Sequence, residues 1–435
     1  MAVKNINITL AGAGMGSENC LTEEVKFIIN KADILFGAER MVSQYQQNEM
    51  REIVDSYRVG DLIDILNEKI CDLSGRSCLN VVFVFSGDSG FYSGAEKSYL
   101  KLKEWAEGIK SGNNDIEINI DIKAGISSVS YLAARLGVSW QEAGLYSLHG
   151  RDFEDGLPGV IESVKYNEKT FVLLSGRDDV IRLQLSLTDM EKVTFTLGYR
   201  LSYTDERIIS FVPGTIKNDL PDGLYTAFIK NDETEVKSLS YGIPTESFIR
   251  EEGVPITKEE IRSIVLSKLR LYRGCTFYDI GSGTGGVSID VAGISPDIKV
   301  VSIEKRPERT GLLQKNMERF RLKNIKALTG SAEELLASED HKEFFLKNPP
   351  DRVFIGGTEG RLRDIINQLK IFGRSIRICM TAVTIETKNE IFKLVDEGVI
   401  NTPDIVEAGI SRYTELGRQH MMKHENTVMI ATFEI

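Results

Sequence analysis

Apolar residues recur along this chain in two rhythms, each marking a different kind of element. From Ile6 to Ala11 they alternate with Asn and Thr, then meet Gly12-Ala13-Gly14-Met15-Gly16, which predicts a strand running into a glycine-rich turn. Leu21, Val25, Ile28 and Ile29 recur at helical spacing, and Thr22 with Glu23 and Glu24 suits the start of that helix. Asp33 to Gly37 reads as the next strand. Val81 to Phe85 is a continuous apolar run, too short for a helix and suited to a strand buried on both faces; it ends in Ser86-Gly87-Asp88-Ser89-Gly90. A helix around Ala95 to Ile109 completes a βαβ rhythm and predicts a parallel α/β layer over about residues 1–115. From Ile116 the character changes, because Ile116, Ile118, Ile120 and Ile122 alternate with polar residues as in an antiparallel strand. A helix near Ser128 to Leu136 and strands at Thr170 to Leu174, Lys192 to Thr196 and Leu224 to Ile229 then predict a second, mixed α/β subdomain over about 116–235.

Asn231 to Ser240 is polar and charged and precedes a fresh amphipathic helix around Lys258 to Leu269, so the domain boundary is placed there and the second domain spans 236–435. Its rhythm is strict. Strands are expected at Thr276 to Ile280, Lys299 to Ile303, Ile325 to Leu328, Arg352 to Ile355 and Ile376 to Val383. Helices intervene, and a closing pair of strands follows around Asp404 to Ala408 and Thr427 to Phe433. This is the pattern of a doubly wound sheet with a late antiparallel addition. No fixed-period repeat relates the two halves.

Composition narrows the class. With 435 residues, 42% hydrophobic and 27% charged, the chain can bury more than one core, and 38 Gly with 10 Pro fit neither a collagen-like nor a disordered protein. No segment approaches the run of about 20 apolar residues that spans a bilayer. The start lacks the apolar stretch of a secretory signal, so the protein is expected in the cytoplasm and off the membrane. A net charge of -11 repels polyphosphate, which argues against nucleic acid as a partner. Five scattered cysteines (Cys20, Cys71, Cys78, Cys275, Cys379) form no Cys-x-x-Cys pair and read as reduced thiols; no metal site is expected.

The chemistry gathers at glycine loops. Asp279-Ile280-Gly281-Ser282-Gly283-Thr284-Gly285-Gly286 ends one strand and opens a helix, and Glu304 ends the next strand 23 positions after Gly281. Glycines there let a ligand lie against backbone amides, and a carboxylate at Glu304 can accept both hydroxyls of a ribose. The string fits NAD as well as S-adenosylmethionine (SAM). Asp279 favours SAM, since a carboxylate under the loop can reach an ammonium but would repel a pyrophosphate. Gly12, Gly14 and Gly16 form a second glycine turn, with no acid ending the following strand. Gly87-Asp88-Ser89-Gly90 is a separate loop after another strand, so two or three backbone-rich loops can converge on one cleft between subdomains. Asn348-Pro349-Pro350 precedes its strand and reads as a turn, while Gly356-Gly357-Thr358 stands at the strand end that matters. His420 and His424 are spaced one helical turn apart with no third ligand, and read as a solvated or packed pair.

Several stretches match known families. Gly242-Ile243-Pro244, Pro255-Ile256-Thr257-Lys258-Glu259-Glu260, Leu266 to Leu269, Asp279 to Gly286, Ile303-Glu304, Phe354 to Gly357 and Ala382 to Thr387 resemble the precorrin methyltransferases that methylate carbon 15 and decarboxylate the ring C acetate in cobalamin biosynthesis. Gly12 to Gly16, Ser86-Gly87-Asp88, Gly125 to Val129, Ala133 to Gly137, Ser147 to Arg151 and Leu174-Ser175-Gly176 resemble the tetrapyrrole methylases acting at carbon 5. Together they cover nearly the whole chain, in the order of the fused, bifunctional precorrin-6Y C5,15-methyltransferases (decarboxylating).

The resemblance implies an α/β protein: a two-subdomain tetrapyrrole methylase (class III) fold over 1–235, then a Rossmann-like class I SAM methyltransferase over 236–435. It implies one SAM per domain. In the second domain SAM would contact Thr257, Asp279, Gly281, Ser282, Gly283, Thr284, Gly285, Glu304 and the backbone near Ala332; in the first it would lie with Gly87, Asp88 and Ser128. Gly12 and Gly14 would shape the tetrapyrrole side; His149, Arg151, Gly356 and Gly357 are further substrate candidates, with a hydrogen-bonded structural histidine as the alternative reading of His149. Three positions depart from the family pattern: Met15 and Ser89 stand where Pro would fix a turn, and Ser331 replaces an acid on the adenine side.

Methyl transfer from a sulfonium to an electron-rich ring carbon needs orientation more than acid–base help, so no catalytic residue is assigned. A substrate rich in carboxylates needs local cations, with Arg135, Arg151, Arg177, Arg306, Arg361 and Arg363 as candidates. The sequence leaves open whether cobalt is already in the ring, and the family resemblance implies a homo-oligomer. The rival readings are a nucleic-acid methyltransferase, an NAD-dependent oxidoreductase and a SAM-binding module without turnover.

Overall fold

The computed structural model describes residues 4–45, 51–71, 78–112, 116–150, 152–216, 220–236, 240–251 and 253–435. The chain divides into two compact units, Met1–Gly156 with Ser163–Glu235, and Val236–Ile435 with the short segment Leu157–Glu162.

In the first unit a five-stranded sheet is built from β1 (Lys4–Gly12), β2 (Ile34–Gly37), β3 (Glu52–Asp55), β4 (Cys78–Phe85) and β5 (Ile116–Lys123), in the order β3-β2-β4-β1-β5. All its pairings are parallel. The continuous apolar run of β4 is explained by its two covered faces. Val81 and Phe83 pack with Ile6, Ile8 and Leu10, whereas Val82 and Val84 pack with Val25, Ile29 and Leu35 on the opposite side. Helix Glu23–Asn30 closes one of those faces, its Thr22 cap accepting from the Val25 amide at 3.2 Å.

One expectation fails here. β5 is not antiparallel and does not start the second subdomain; it pairs parallel with β1 from Lys4↔Ile116 to Ala11↔Lys123. Its alternation arises because it is an edge strand, with Ile116 and Ile118 in the core and Glu117 and Asn119 exposed. An edge strand with one wet face carries the same period as an antiparallel one. The second subdomain therefore begins after Lys123, at the loop leading into helix Ser128–Leu136. Its sheet contains β6 (Gly144–Ser147), β7 (Lys169–Leu174), β8 (Val193–Tyr199), β9 (Arg207–Phe211) and β10 (Tyr225–Asn231), ordered β6-β7-β10-β8-β9. Only β6 and β7 run parallel, so this sheet is mixed, as its patterning predicts.

The second unit carries β11 (Thr276–Ile280), β12 (Lys299–Glu304), β13 (Ile325–Thr329), β14 (Arg352–Ile355), β15 (Arg377–Ala382), β16 (Asp404–Ala408) and, after the hairpin β17 (Ser411–Leu416) and β18 (Gln419–His424), β19 (Val428–Glu434). The sheet order is β13-β12-β11-β14-β15-β19-β16, with β19 antiparallel to both neighbours. This is the doubly wound sheet with a late antiparallel addition. β11 is buried along its whole length; Phe277 belongs to the core on one face, Tyr278 and Ile280 to the core on the other.

The hairpin is a second departure. His420 and His424 lie on β18, a strand, not on one turn of a helix. A four-residue spacing puts side chains on one face in either element.

Candidate functional site

A cavity of about 610 Å³ opens in the second unit where the carboxyl ends of β11, β12 and β14 meet. That volume is ordinary for a small-molecule site. The chain leaves β11 toward β12 on one side and β14 toward β15 on the other, so the cavity sits at the point where the winding reverses and the loops part. Its walls are the glycine loop after β11, Glu304, residues 330–334 after β13, and Gly356 to Arg361 after β14. Pro255 to Lys258 form a strap across it, and Ile410, Glu425, Asn426 and Val428 come from the end of the chain.

The glycine loop is shaped for close approach. Gly285 sits at φ +86°, and a Cβ there would fall 2.2 Å from Leu313, so only glycine lets the helix Gly286–Ile294 start at this point. Gly283, at φ +57°, is different: a Cβ would meet nothing closer than the Pro255 carbonyl at 3.8 Å, which leaves space for a ligand. Gly281 brings the loop against Gly357, whose backbone a Cβ would meet at 3.1 Å, so Gly281, Gly356 and Gly357 are gathered at one spot.

Two carboxylates flank this loop. Glu304 accepts from the Gly283 amide at 2.8 Å and from the Arg306 amide at 3.0 Å, holding the loop to the end of β12. Asp279, 1% exposed, accepts from Ser288 Oγ at 2.5 Å through one oxygen, while its other oxygen has no partner. Burial pushes its pKa up to about 7, and the nearby charge of Glu304 adds to this. Ser282, Thr284 and Ser331 also carry buried hydroxyls without partners. Unpaired buried polar atoms are costly, and here they cluster on residues lining one cavity, with Thr257 and Ala332 on its walls. An acidic pocket floor, a second carboxylate at the end of the neighbouring strand and an open glycine fit the donor and acceptor set of SAM. They do not suit a pyrophosphate, which Asp279 would repel.

Sequence reasoning missed the residues that hold the strap. Arg262 is fully buried and bonds Asp290 at 2.6 Å, and its two terminal nitrogens donate to the carbonyls of Thr257 and Ile243. Its guanidinium lies 4.9 Å from the Phe248 ring centroid. Asp290 also accepts from the Ile243 amide at 2.9 Å, and Asn316 joins the Ile249 amide to the Thr284 carbonyl of the glycine loop. A signal existed, because Arg262 falls on the buried stripe with Val265, Leu266 and Leu269, and Asp290 is the one charged residue of a helix that is otherwise small or apolar.

In the first unit the Gly12 to Gly16 turn, the Gly87 to Gly90 loop and the loop around Gly125 meet. Gly14 and Gly87 exchange backbone hydrogen bonds at 3.2 and 2.6 Å, and the Asp88 carboxylate accepts from the amides of Gly90 and Gly125, both at 2.9 Å. A Cβ on Gly125 would stand 2.3 Å from the Gly87 carbonyl, and one on Gly12 would stand 2.7 Å from the Gly125 amide. Ser128 opens the next helix, capped by Ser127, whose hydroxyl accepts from the Ser130 amide at 3.1 Å. Gly12, Gly14, Gly87, Asp88 and Ser128 thus share the carboxyl end of β4, β1 and β5, three adjacent strands.

Other candidates stand elsewhere. His149 Nδ1 pairs with Ser175 Oγ at 3.2 Å on the surface, and Arg151 lies outside the described residues. Arg135 is committed to Glu206, Arg177 faces Asp178 and Asp222, Arg306 lies 4.0 Å from Glu359, and Arg363 is paired with Glu397; of the five described candidate arginines only Arg361 lines the cavity. His420 meets Tyr413 and His424 meets Ser411, each within the hairpin. Among the described residues no group of three metal-binding side chains occurs, and no helix is long and apolar enough to cross a membrane. Cys20, Cys78, Cys275 and Cys379 are unpaired thiols.

Comparison with known proteins places both halves. A model of the precorrin methyltransferase domain matches residues 247–434, and a model of the tetrapyrrole (corrin/porphyrin) methylases matches residues 7–217. A probable cobalt-precorrin-6B C(15)-methyltransferase (decarboxylating) of Sulfurisphaera tokodaii is 36% identical over 190 residues, covering 43% of this chain and 95% of that protein. The cobalt-precorrin-6B C(15)-methyltransferase (decarboxylating) of Salmonella typhi is 35% identical over 187 residues, covering 42% of this chain and 92% of that protein. Among solved structures, precorrin-8w decarboxylase of Methanobacterium thermoautotrophicum is 29% identical, covering 44% of this chain and 100% of that one at a TM-score of 0.39.

Proposed function

This chain belongs to the precorrin methyltransferases through its second unit and to the tetrapyrrole methylases through its first, and on that premise we propose a single bifunctional enzyme of corrin biosynthesis. It methylates a precorrin ring at carbon 5 in the first unit and at carbon 15 in the second, where the ring C acetate is also lost as carbon dioxide. Each unit binds one SAM.

The observation that carries this reading is the buried Asp279 carboxylate, one oxygen unpartnered, beneath a glycine loop whose central glycine is open. SAM supplies an electrophilic methyl on a sulfonium. The protein's own part is placement: Asp279 receives the amino group, Glu304 the ribose, and Gly283 leaves room between them. Ser331, in place of an acid, offers its unpaired hydroxyl near the base. Lys258 and Arg361, both on the cavity wall, are the counter-charges for substrate carboxylates, and Val383, Ile410 and Val428 give the flat ring an apolar surface. The curated relatives described above are named for cobalt-precorrin-6B, which favours a cobalt-bearing ring as substrate.

Equilibrium dialysis with labelled SAM tests the stoichiometry: two per chain are expected, and one after Gly283→Val, whose side chain enters the open space at this loop. That variant should retain methylation at carbon 5 and lose it at carbon 15. A single SAM per wild-type chain, or loss of both products in the variant, refutes the assignment.

A further inference from the structure

Beneath the glycine loop lies a polar chain that no ligand contact explains. Asp279 and Ser302 occupy paired positions on β11 and β12 and so face the same side of the sheet. Ser288, in the first turn of the helix Gly286–Ile294, descends onto both: its Oγ is 2.5 Å from Asp279 Oδ2 and 2.6 Å from Ser302 Oγ. All three residues are at most 1% exposed. We propose that Ser288 and Ser302 are positioning residues that fix Asp279 with its free oxygen toward the cavity as a proton-exchanging acceptor for a cationic amino group; the proposal rests on the SAM reading of that cavity.

The direction of the chain follows from its donors. An ionised carboxylate has no proton to give, so the single Ser288 proton goes to Asp279 and the Ser302 proton goes to Ser288. The relay therefore ends on Asp279, satisfies Oδ2 and leaves Oδ1 unpartnered on the cavity wall. A carboxylate this buried with one bare oxygen is stable as an anion only when a cation faces it. Without one it takes up a proton near neutral pH, consistent with its raised pKa. The charged groups around it do not relieve this. Glu304 on β12 has the same sign, Arg262 on the helix packed alongside is spent on Asp290, and Lys258 projects from the strap beside Glu425.

Binding of an ammonium thus exchanges one proton: the Asp279 carboxyl loses it to solvent, and the carboxylate formed accepts from the ligand amino group. Affinity should weaken as pH falls below the carboxyl midpoint, tending toward tenfold per pH unit.

The test uses the full chain and reads the second-unit site alone, through SAM-dependent protection of the Gly281 to Val287 amides in hydrogen exchange. Half-protecting SAM concentrations are measured from pH 5.5 to 7, beside 5′-methylthioadenosine, which lacks the amino group. We expect SAM affinity to fall about tenfold from pH 7 to pH 5.5, with methylthioadenosine unaffected. Ser288→Ala should weaken SAM further and move the dependence to higher pH while leaving methylthioadenosine binding intact. Ser302→Ala should do the same to a smaller degree, and it serves if the first variant does not fold. A flat SAM profile, or equal loss of both ligands in the serine variants, overturns the relay while leaving the SAM site standing. Failure to bind SAM at any pH overturns the SAM reading and the relay with it.

Discussion

Replacing Arg262 with Met keeps most of the side-chain volume and removes every donor. The change strands Asp290 Oδ2, whose partner stood at 2.6 Å in a fully buried pair, and leaves the Thr257 and Ile243 carbonyls without their guanidinium. Removing one member of a buried ion pair costs about 3–5 kcal/mol, because the other charge stays behind uncompensated. Burial already outweighs Arg262 in setting Asp290, holding its pKa above the ordinary carboxylate range. Without the arginine it rises further, so the folded state binds this proton more tightly than the unfolded chain does. The penalty is then smallest at low pH and grows as pH rises through the folded value. Asp290→Asn keeps an acceptor for the Ile243 amide and removes the charge, so the double variant should recover about 2 kcal/mol of the loss at pH 8. Both tryptophans, Trp105 and Trp140, lie in the first unit, so tryptophan fluorescence is blind to this change. Native-state hydrogen exchange of the β11 and β12 amides reads it directly. A cost under about 1 kcal/mol at pH 8, or no recovery in the double variant, would refute the argument that Arg262 and Asp290 pin the strap by compensating each other's charge.

Asp279→Asn offers a second check, removing a pH slope of this kind where Arg262→Met steepens one. A carboxyl raised from 3.8 to about 7 favours the folded state at low pH and loses that advantage as pH climbs to neutrality. Up to about 4 kcal/mol of pH-dependent stability is at stake in the ligand-free protein. The Asn variant should show a flatter stability profile from pH 5 to 8 in the same exchange experiment and bind SAM poorly; an unchanged slope counts against the buried charge. Gly125→Ala should disable only the first unit, since its Cβ would press within 2.3 Å of the Gly87 carbonyl. Mass spectrometry of products should then show methylation at carbon 15 without carbon 5, and retention of both would contradict the placement of those loops.

Much of this is legible in the sequence because strands buried on both faces write continuous apolar runs. β11 and its loop, Glu304 and the winding of the second unit follow from that pattern. β5 shows where such reading fails: alternation reports one wet face, which an edge strand of a parallel sheet and an antiparallel strand share. The hairpin β17–β18 is exposed along β18 and carries no burial pattern, so His420 and His424 had nothing local to separate strand from helix. Arg262 and Asn316 were hidden for another reason. Asp290 and the Ile249 backbone are distant in sequence from them, so although the buried stripe marks Arg262, no local spacing shows what either residue pairs with.

Mass spectrometry of a reduced precorrin-6 substrate, incubated with the chain and SAM, with and without cobalt in the ring, tests the central claim most directly. A gain of two methyl groups with loss of one carbon dioxide is expected, and more readily with cobalt present. An unchanged tetrapyrrole in both arms, from protein that demonstrably binds SAM, would contradict the account.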